Sequence, residues 1–408
     1  MEAVPRRLLL FAATTGYQIR VFADAARRLG VELTLATDRC HVLEDPWGDR
    51  AIAVKFDRIE ESAEALRSIQ CDGVAAVGDR PAVLAAAVGE KLGVPFHSPA
   101  AARACNDKFL ARQLYQATGL AVPKFFRANC EDEPRAAGAR ATYPCVLKPL
   151  GQSASRGVIR ANNEREFVAA WARIRRMGEQ QIQVESYIDG REFAVEGLVT
   201  NGRFQPIAIF DKPDPLEGPF FEETIYVTPS REPLTVQEEL LATASRAVRA
   251  LGLGYGPVHA ELRYNRQGAW MLETAARPIG GLCAKALRFE PDVPFEELIL
   301  RHALGEDVSD ARPASPASGV MMIPVPRDGV YESVEGLERA RAVAGIEDVI
   351  ITAKEGQRLV PLPEGASYPG FIFARGKTAA EVEAALRRSH AELRFHIATA
   401  LETFKPSA

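Results

Sequence analysis

Glu261 and Glu273 sit in two strand-like runs, Val258-His259-Ala260-Glu261-Leu262-Arg263-Tyr264 and Ala269-Trp270-Met271-Leu272-Glu273-Thr274, with a turn between them. A three-residue turn, Arg266-Gln267-Gly268, lets Gly268 take the left-handed conformation that such hairpins need. That register pairs Leu262 with Leu272 and Tyr264 with Trp270 on an apolar face, and it sets Glu261 opposite Glu273 on the other. Directly opposed like charges destabilise a sheet. A pair placed this way calls for a proton, an arginine or a cation between its members. Ligands that are all oxygen favour Mg²⁺ or Mn²⁺, completed by water and substrate phosphates. Arg277 follows in Ala276-Arg277-Pro278-Ile279-Gly280-Gly281. Two carboxylates, an arginine and glycines together point to metal–nucleotide chemistry. The competing reading is a solvent-facing hairpin whose glutamates pair with Arg263 and Arg277.

Other polar residues upstream could serve the same chemistry. Lys148 ends the apolar run Tyr143-Pro144-Cys145-Val146-Leu147-Lys148-Pro149, and Leu150-Gly151-Gln152-Ser153-Ala154-Ser155-Arg156-Gly157-Val158 follows as a small-residue loop. Such a loop can lay backbone N–H groups over phosphates, with a lysine adding a point charge. Lys108 lies in the first turn of a helix predicted over Phe109–Thr118, with Asn106 as its N-cap. A lysine there is often merely solvated. Gln183-Val184-Glu185-Ser186-Tyr187-Ile188-Asp189-Gly190-Arg191-Glu192-Phe193 reads as a strand, a turn at Asp189-Gly190 and another strand. Glu185 can accept an adenine amino group and Glu192 ribose hydroxyls; a polar strand face with a surface turn explains the same pattern. Asp211–Glu223 is a proline-rich loop that either covers an acceptor pocket or is a solvated connection, and its Lys212, like Arg277, can meet a substrate carboxylate.

These residues need a large α/β scaffold, and the chain can build one. It has 408 residues, of which 47% are hydrophobic. Strands are expected at Leu8–Ala12, Glu32–Ala36 and Gly73–Val77, and helices at Ile19–Leu29, Ser62–Ile69 and Pro81–Leu92. Such alternation gives an open, mostly parallel sheet. Its ligand crevice belongs beyond the strand carboxyl ends, near Thr14-Thr15-Gly16 and Gly78-Asp79-Arg80. Neither GxGxxG nor GxxxxGK[ST] occurs, so a dinucleotide Rossmann site and a P-loop are not expected. Residues 307–318 read as a linker, followed by strands near Val320–Val325 and Gly370–Ala374 and a long closing helix from about Ala379.

Composition narrows the partners. A formal net charge of −4 argues against a general polyanion binder, so no nucleic-acid partner is expected. No apolar run reaches membrane-spanning length, so no membrane partner is expected either. Leu8-Leu9-Leu10-Phe11 after Arg6-Arg7 is too short for a signal sequence and leads into a strand-to-helix turn. Cys40, Cys71, Cys105, Cys130, Cys145 and Cys283 show no CxxC spacing and read as reduced, buried residues of a cytoplasmic protein. His41, His97, His259, His302, His390 and His396 show no metal spacing. His259 shares a strand face with Glu261, where it either touches substrate or is structural.

Taken in order, Asn106-Asp107-Lys108, Val146-Leu147-Lys148, the Gly/Ser loop, Glu185 to Glu192, Glu261 and Glu273…Arg277 resemble the ATP-grasp superfamily over roughly residues 5–305. The resemblance implies an α/β protein with an ATP-grasp fold. It would have an N-terminal open parallel-sheet domain over 1–105, a central two-subdomain α+β ATP-binding unit over 106–310 and a C-terminal α+β domain over 311–408. It also implies ATP and Mg²⁺ (or Mn²⁺) as cofactors. Lys108 and Lys148 would contact phosphates, and Ser153, Ser155 and Gly157 would lie in the loop that closes over them. Glu185 and the backbone at Tyr187 and Ile188 would hold adenine, and Glu192 the ribose. Glu261 and Glu273 would bridge the metal to the phosphates. Arg277 would stabilise an acyl-phosphate and the tetrahedral species after it. His259, Lys212, Gly280 and Gly281 are the expected substrate contacts.

One position departs from the family pattern Glu-x-Asn-x-Arg. Here it is Glu273-Thr274-Ala275-Ala276-Arg277, and alanine cannot ligate metal. The form Glu-x-Ala-Ala-Arg-Pro-x-Gly-Gly, with the tail Pro369-Gly370-Phe371-Ile372-Phe373-Ala374-Arg375-Gly376, is similar to the L-amino-acid ligase branch. That implies a carboxylate–amine ligase acting on small-molecule carboxylates and amines, with a homodimer as the assembly to look for. Carboxylation through carboxyphosphate, and a nucleotide-binding regulator with weakened catalysis, are the alternatives.

Overall fold

The computed structural model describes residues 5–14, 16–38, 51–365 and 367–399. Thr15, Cys40 and His41 therefore lie outside the described residues. The chain divides into two compact units, one formed by Met1–Val122, Ile188–Asp211 and Pro229–Ser315, the other by Pro123–Tyr187, Lys212–Thr228 and Pro316–Ala408. Among the described residues, no helix is long and apolar enough to cross a membrane.

In the first unit the strands Ile52–Ala53, Glu32–Thr37, Arg7–Ala12 and Gly73–Val77 lie side by side in that order, all parallel. The apolar runs of Arg7–Ala12 and Gly73–Val77 are buried on both faces, as is typical of parallel strands, whereas Leu33, Leu35 and Ile52 toward the other edge are part-buried. Helices Ile19–Leu29 and Asp79–Leu92 flank the sheet, each stopped by a left-handed glycine, Gly30 and Gly93. The expected first-unit strands are all present, and Ile19–Leu29 is a helix over the expected range. The helix expected at Ser62–Ile69 runs instead from Ile59 to Ala65, with Glu60 and Glu61 in its first turn.

Four antiparallel strands complete this unit in the order Gly268–Ala275, Gly256–Asn265, Arg191–Thr200, Arg203–Asp211. One face packs Phe193, Val195, Val258, Ala260, Leu262 and Met271 into a buried cluster with Leu240, Ala244 and Val248 of helix Leu234–Leu251. The opposite face carries Glu192, Glu196, His259, Glu261, Arg263 and Glu273.

The second unit holds a sheet in the order Phe125–Asn129, Gln181–Ser186, Cys145–Pro149, Ile159–Ala161. Helix Glu164–Arg176 covers it with Phe167, Trp171 and Ile174. Further along, Ile225–Thr228, Ala317–Met322, Gly370–Gly376 and Ile346–Ile351 pair antiparallel beneath helix Ala379–Ala391. The strand expected at Val320–Val325 thus starts three residues earlier, inside the segment read as a linker. The closing helix is shorter than expected. It ends at Ala391, and Arg394–Ala398 becomes a strand paired with Gly329–Glu335. Alternating Phe395 and Ile397 bury against Tyr331 and Leu359, which a continued helix would not allow.

Candidate active site

Sheet register builds the acidic pair, but by a different route from the expected hairpin. The turn has two residues, Arg266 and Gln267, because Asn265 pairs with Gly268. Asn265 Oδ1 accepts from Gln267 N–H at 2.9 Å and from Trp270 Nε1 at 3.1 Å, which closes the turn. Gly268 holds φ +104°, and a Cβ there would fall 2.4 Å from Glu239 Oε1. Leu262 consequently faces Met271, not Leu272, and Tyr264 faces Ala269, not Trp270. A bulge then takes up Leu272 and restores Glu261 opposite Glu273. Arg112, buried in helix Lys108–Ala117, donates from Nη1 to Met271 O and from Nη2 to Leu272 O, both at 2.8 Å. It satisfies the carbonyls at the irregularity and was not singled out by any sequence motif.

The same helix delivers Lys108. Its N-cap is Asp107, not Asn106: Asn106 ends the preceding helix Pro99–Asn106, while Asp107 turns extended and accepts from the N–H groups of Phe109 and Leu110 at 3.0 Å each. Lys108 Nζ then lies 4.0 Å from Glu273 Oε1.

Cross-strand partners fill the rest of the polar face. Glu196 pairs in register with His259, and Glu192 with Arg263. His259 Nδ1 bonds Glu196 Oε1, and its Nε2 lies 3.3 Å from Glu261 Oε1. Burial alone would lower the His259 pKa, but the charge and hydrogen bonds of Glu196 and Glu261 push it up to about 9. Arg263 Nε donates to Glu192 Oε2 at 2.9 Å and its Nη1 to Ile188 O at 2.6 Å. Ala275 sits opposite His259, on the face of the acid pair. Its methyl offers no donor or acceptor.

Arg277 forms a two-point ion pair with Asp79, Nε to Oδ1 at 2.8 Å and Nη2 to Oδ2 at 3.3 Å. Asp79 opens helix Asp79–Leu92 at the carboxyl end of strand Gly73–Val77, in the crevice expected from the parallel sheet. Burial opposes its ionisation, yet Arg277, Lys108 and His259 hold its pKa below the usual carboxylate value. The Arg277 pKa moves the opposite way, upward: burial works against its charge, but Asp79 outweighs it. The segment after Arg277 is pinned on both sides. Ile279 N–H donates to Glu196 Oε2 at 3.0 Å, and Ile279 O accepts from Gln18 Nε2 at 2.7 Å. Gly280 and Gly281 follow, the latter with φ +62°.

In the second unit Lys148 Nζ reaches Glu185 Oε2 at 2.7 Å, and Gln183 Nε2 donates to Glu185 Oε1 at 2.7 Å. Lys148 and Gln183 are register partners, so the three side chains share one sheet face. Val146 stands on that face too, with Leu216, Phe221, Val158 and Tyr187 around it as a small apolar cluster. Tyr187 N–H donates to Pro144 O at 2.8 Å, and Arg160 lies over its ring. Leu216 and Phe221 come from the Asp211–Glu223 loop, which therefore packs down instead of standing in solvent. Its Lys212 is buried in an ion pair with Glu223. In the Gly/Ser loop Ser153 is exposed and Ser155 half-buried. Ala154 and Ser155 have φ of 54° and 56°, and Gly157 is buried with φ +71°.

Glu196, Arg112 and Gln183 are the residues sequence reasoning passed over. For Glu196 a signal existed: its four-residue spacing from Glu192 in a strand puts both on one face.

Comparison with known proteins places this geometry. Residues 141–286 match an ATP-grasp domain, and residues 321–398 match the L-amino acid ligase C-terminal domain 2. The structure of an L-amino acid ligase from Bacillus licheniformis superposes with a TM-score of 0.80 at 26% identity, over 97% of this chain and 100% of that one. Protein y4rH of Sinorhizobium fredii is 24% identical over 399 residues, 94% of this chain and 82% of its own. A D-alanine–D-alanine ligase of Pseudomonas entomophila is 28% identical over 197 residues, which are 46% of this chain and 60% of that ligase. This chain is an ATP-grasp protein and an ATP-dependent carboxylate–amine ligase, built like the L-amino acid ligases.

Proposed function

We propose that the chain uses ATP to convert the carboxylate of an amino acid or similar small acid into an acyl-phosphate. It then joins that acyl group to an amine, and ADP and phosphate are released. The observation that carries this reading is the Glu261–Glu273 pair on one sheet face, with Lys108 at its edge and the Arg277–Asp79 pair supplying a fixed, part-buried cation.

The donor set fits a hard divalent cation: two carboxylates face each other, with no sulfur or imidazole ligand required. We assign Mg²⁺, with Mn²⁺ as the substitute, to Glu261 and Glu273. When bound, it would neutralise charge on the phosphoryl group in transfer. Ala275 would supply no further ligand to the cation.

Positioning and charge do the remaining work. Lys108 and Lys148 are assigned to ATP phosphates, and Ser153, Ser155 and Gly157 to the loop above them. Glu185, the backbone at Tyr187 and Ile188, and the apolar cluster around Val146 are assigned to adenine; Glu192 is assigned to ribose. The planar fork of Arg277 suits an acyl-phosphate. Gly280 and Gly281 allow close approach of substrate to the segment beside it. The buried place of His259 between Glu196 and Glu261 supports an orienting role toward Glu261. The ion pair of Lys212 with Glu223 supports a role in shaping its loop.

Oxygen labelling tests the acyl-phosphate. With an ¹⁸O-carboxylate substrate, one labelled oxygen should appear in the released phosphate. Turnover that leaves the phosphate unlabelled would rule this route out.

A further inference from the structure

The loop proposed to cover the ATP phosphates is held in place by residues more than 200 positions away in sequence. Two consecutive non-glycine residues of the loop, Ala154 and Ser155, occupy the left-handed region, which L-residues adopt only under constraint. Their neighbours supply that constraint. Gly157 N–H donates to Pro363 O at 2.8 Å, and Arg156 Nε donates to Glu364 O at 2.8 Å. Arg156 Nη1 also donates to Gln152 Oε1 at 3.1 Å, which closes the loop on itself.

The carbonyls of Pro363 and Glu364 are in turn fixed by one side chain. The Glu364 carboxylate makes a two-point pair with Arg173 of helix Glu164–Arg176: one contact joins Nε and Oε1, and the other joins Nη2 and Oε2 at 2.8 Å. Arg173 also lies 5.0 Å from the centroid of the Phe220 ring. Phe220 bridges Ile159, in the strand that the loop runs into. Arg173 thus meets the turn at 361–365, the helix behind the loop and the Asp211–Glu223 segment at one point. A solvent-facing pair like this adds little to global stability, and nothing in the nucleotide chemistry uses it.

We propose that Glu364 is a positioning residue of the ligase: paired with Arg173, it holds the turn at 361–365 so that its carbonyls order the 151–157 loop for the ATP phosphates. This rests on the reading of 151–157 as the phosphate loop. It gives the C-terminal segment a part in nucleotide binding.

The test uses the full chain, wild type and Glu364→Ala, with the charge swap Glu364→Arg plus Arg173→Glu. ATP is varied at saturating carboxylate and amine, and tryptic cleavage after Arg156 is followed with and without ATP. Glu364→Ala should raise the KM for ATP about tenfold with kcat within about twofold, a loss confined to binding. Cleavage at Arg156 without ATP should speed up, and the charge swap should recover most of the KM. An unchanged KM and cleavage rate in Glu364→Ala would overturn the proposal, as would an equal fall in kcat and stability that the swap does not rescue. If ATP fails to protect Arg156 in the wild type, the phosphate-loop reading itself falls, an outcome distinct from failure of Glu364.

Discussion

Replacing Arg112 by methionine tests how the acid pair is set. Methionine keeps much of the buried aliphatic stem but removes both donors to Met271 O and Leu272 O. A hydrogen bond from a charged donor contributes about 1.5–3 kcal/mol, and here two carbonyls in a buried setting lose their partner together. With partial relaxation of the bulge, a loss of about 3 kcal/mol is expected, which at roughly 2–4 °C per kcal/mol lowers Tm by about 6–12 °C. Arg112→Lys should fall between, because one ammonium cannot span two carbonyls as the guanidinium fork does. Glu273 is the residue next to the bulge, so loosening it should also raise the Mg²⁺ concentration needed for half-maximal turnover several-fold. Thermal unfolding at fixed pH and a Mg²⁺ titration of ADP release read the two effects. If Arg112→Met melts within about 2 °C of wild type, no more than the shift that roughly 1 kcal/mol gives on that scale, and keeps its Mg²⁺ requirement, Arg112 does not hold the register.

Three further outcomes are expected. Lys148→Ala should weaken ATP more than adenosine in direct binding measurements, since its Nζ is assigned to phosphate; equal weakening would place it elsewhere. Ala275→Asn, opposite His259 on the face of the acid pair, should lower the Mg²⁺ requirement modestly, while overpacking lowers Tm by an amount worth about 1–3 kcal/mol; a folded variant with an unchanged requirement would refute the proposed metal placement. Glu296 is buried, and that burial pushes its pKa up to about 7. The folded state therefore holds a proton that the unfolded state releases near pH 4.5, so stability falls as pH rises from about 4.5 through 7. Glu296→Gln should raise Tm at pH 8 and change it little at pH 5, and a gain of equal size at both would contradict this.

The sequence showed the acid pair but not the means of placing it. Two misreadings cancelled: the turn was taken one residue too long and the bulge at Leu272 was omitted, so Glu261 still met Glu273. Nothing local marks a bulge at Leu272, because what holds it is Arg112, some 160 positions away in the chain. The parallel sheet was legible because buried strands and helices alternate with clear turn residues, and helix Ile19–Leu29 ends on the glycine that its pattern requires. Asn106 and Asp107 are both good caps. The choice went to Asp107 because Ser98 and Pro99 start an earlier helix that takes up Asn106. Ion pairs such as Arg277–Asp79 and Glu196–His259 join segments far apart in sequence, and only the tertiary fold brings them together. The tail misled for a related reason. Residues 379–394 are mostly good helix formers, and the switch to a strand after Ala391 comes with the pairing of Arg394–Ala398 to Gly329–Glu335.

The ligase reading is tested most directly by measuring ADP release with Mg²⁺ and ATP across a matrix of amino acids offered as carboxylate and as amine, with bicarbonate as a separate arm. The account predicts release that requires both an amino-acid carboxylate and an amine, is lost in Glu261→Gln and Glu273→Gln, and yields an amide product equal in amount to the ADP. Release driven by bicarbonate alone, or tight ATP binding with no turnover anywhere in the matrix, would contradict it.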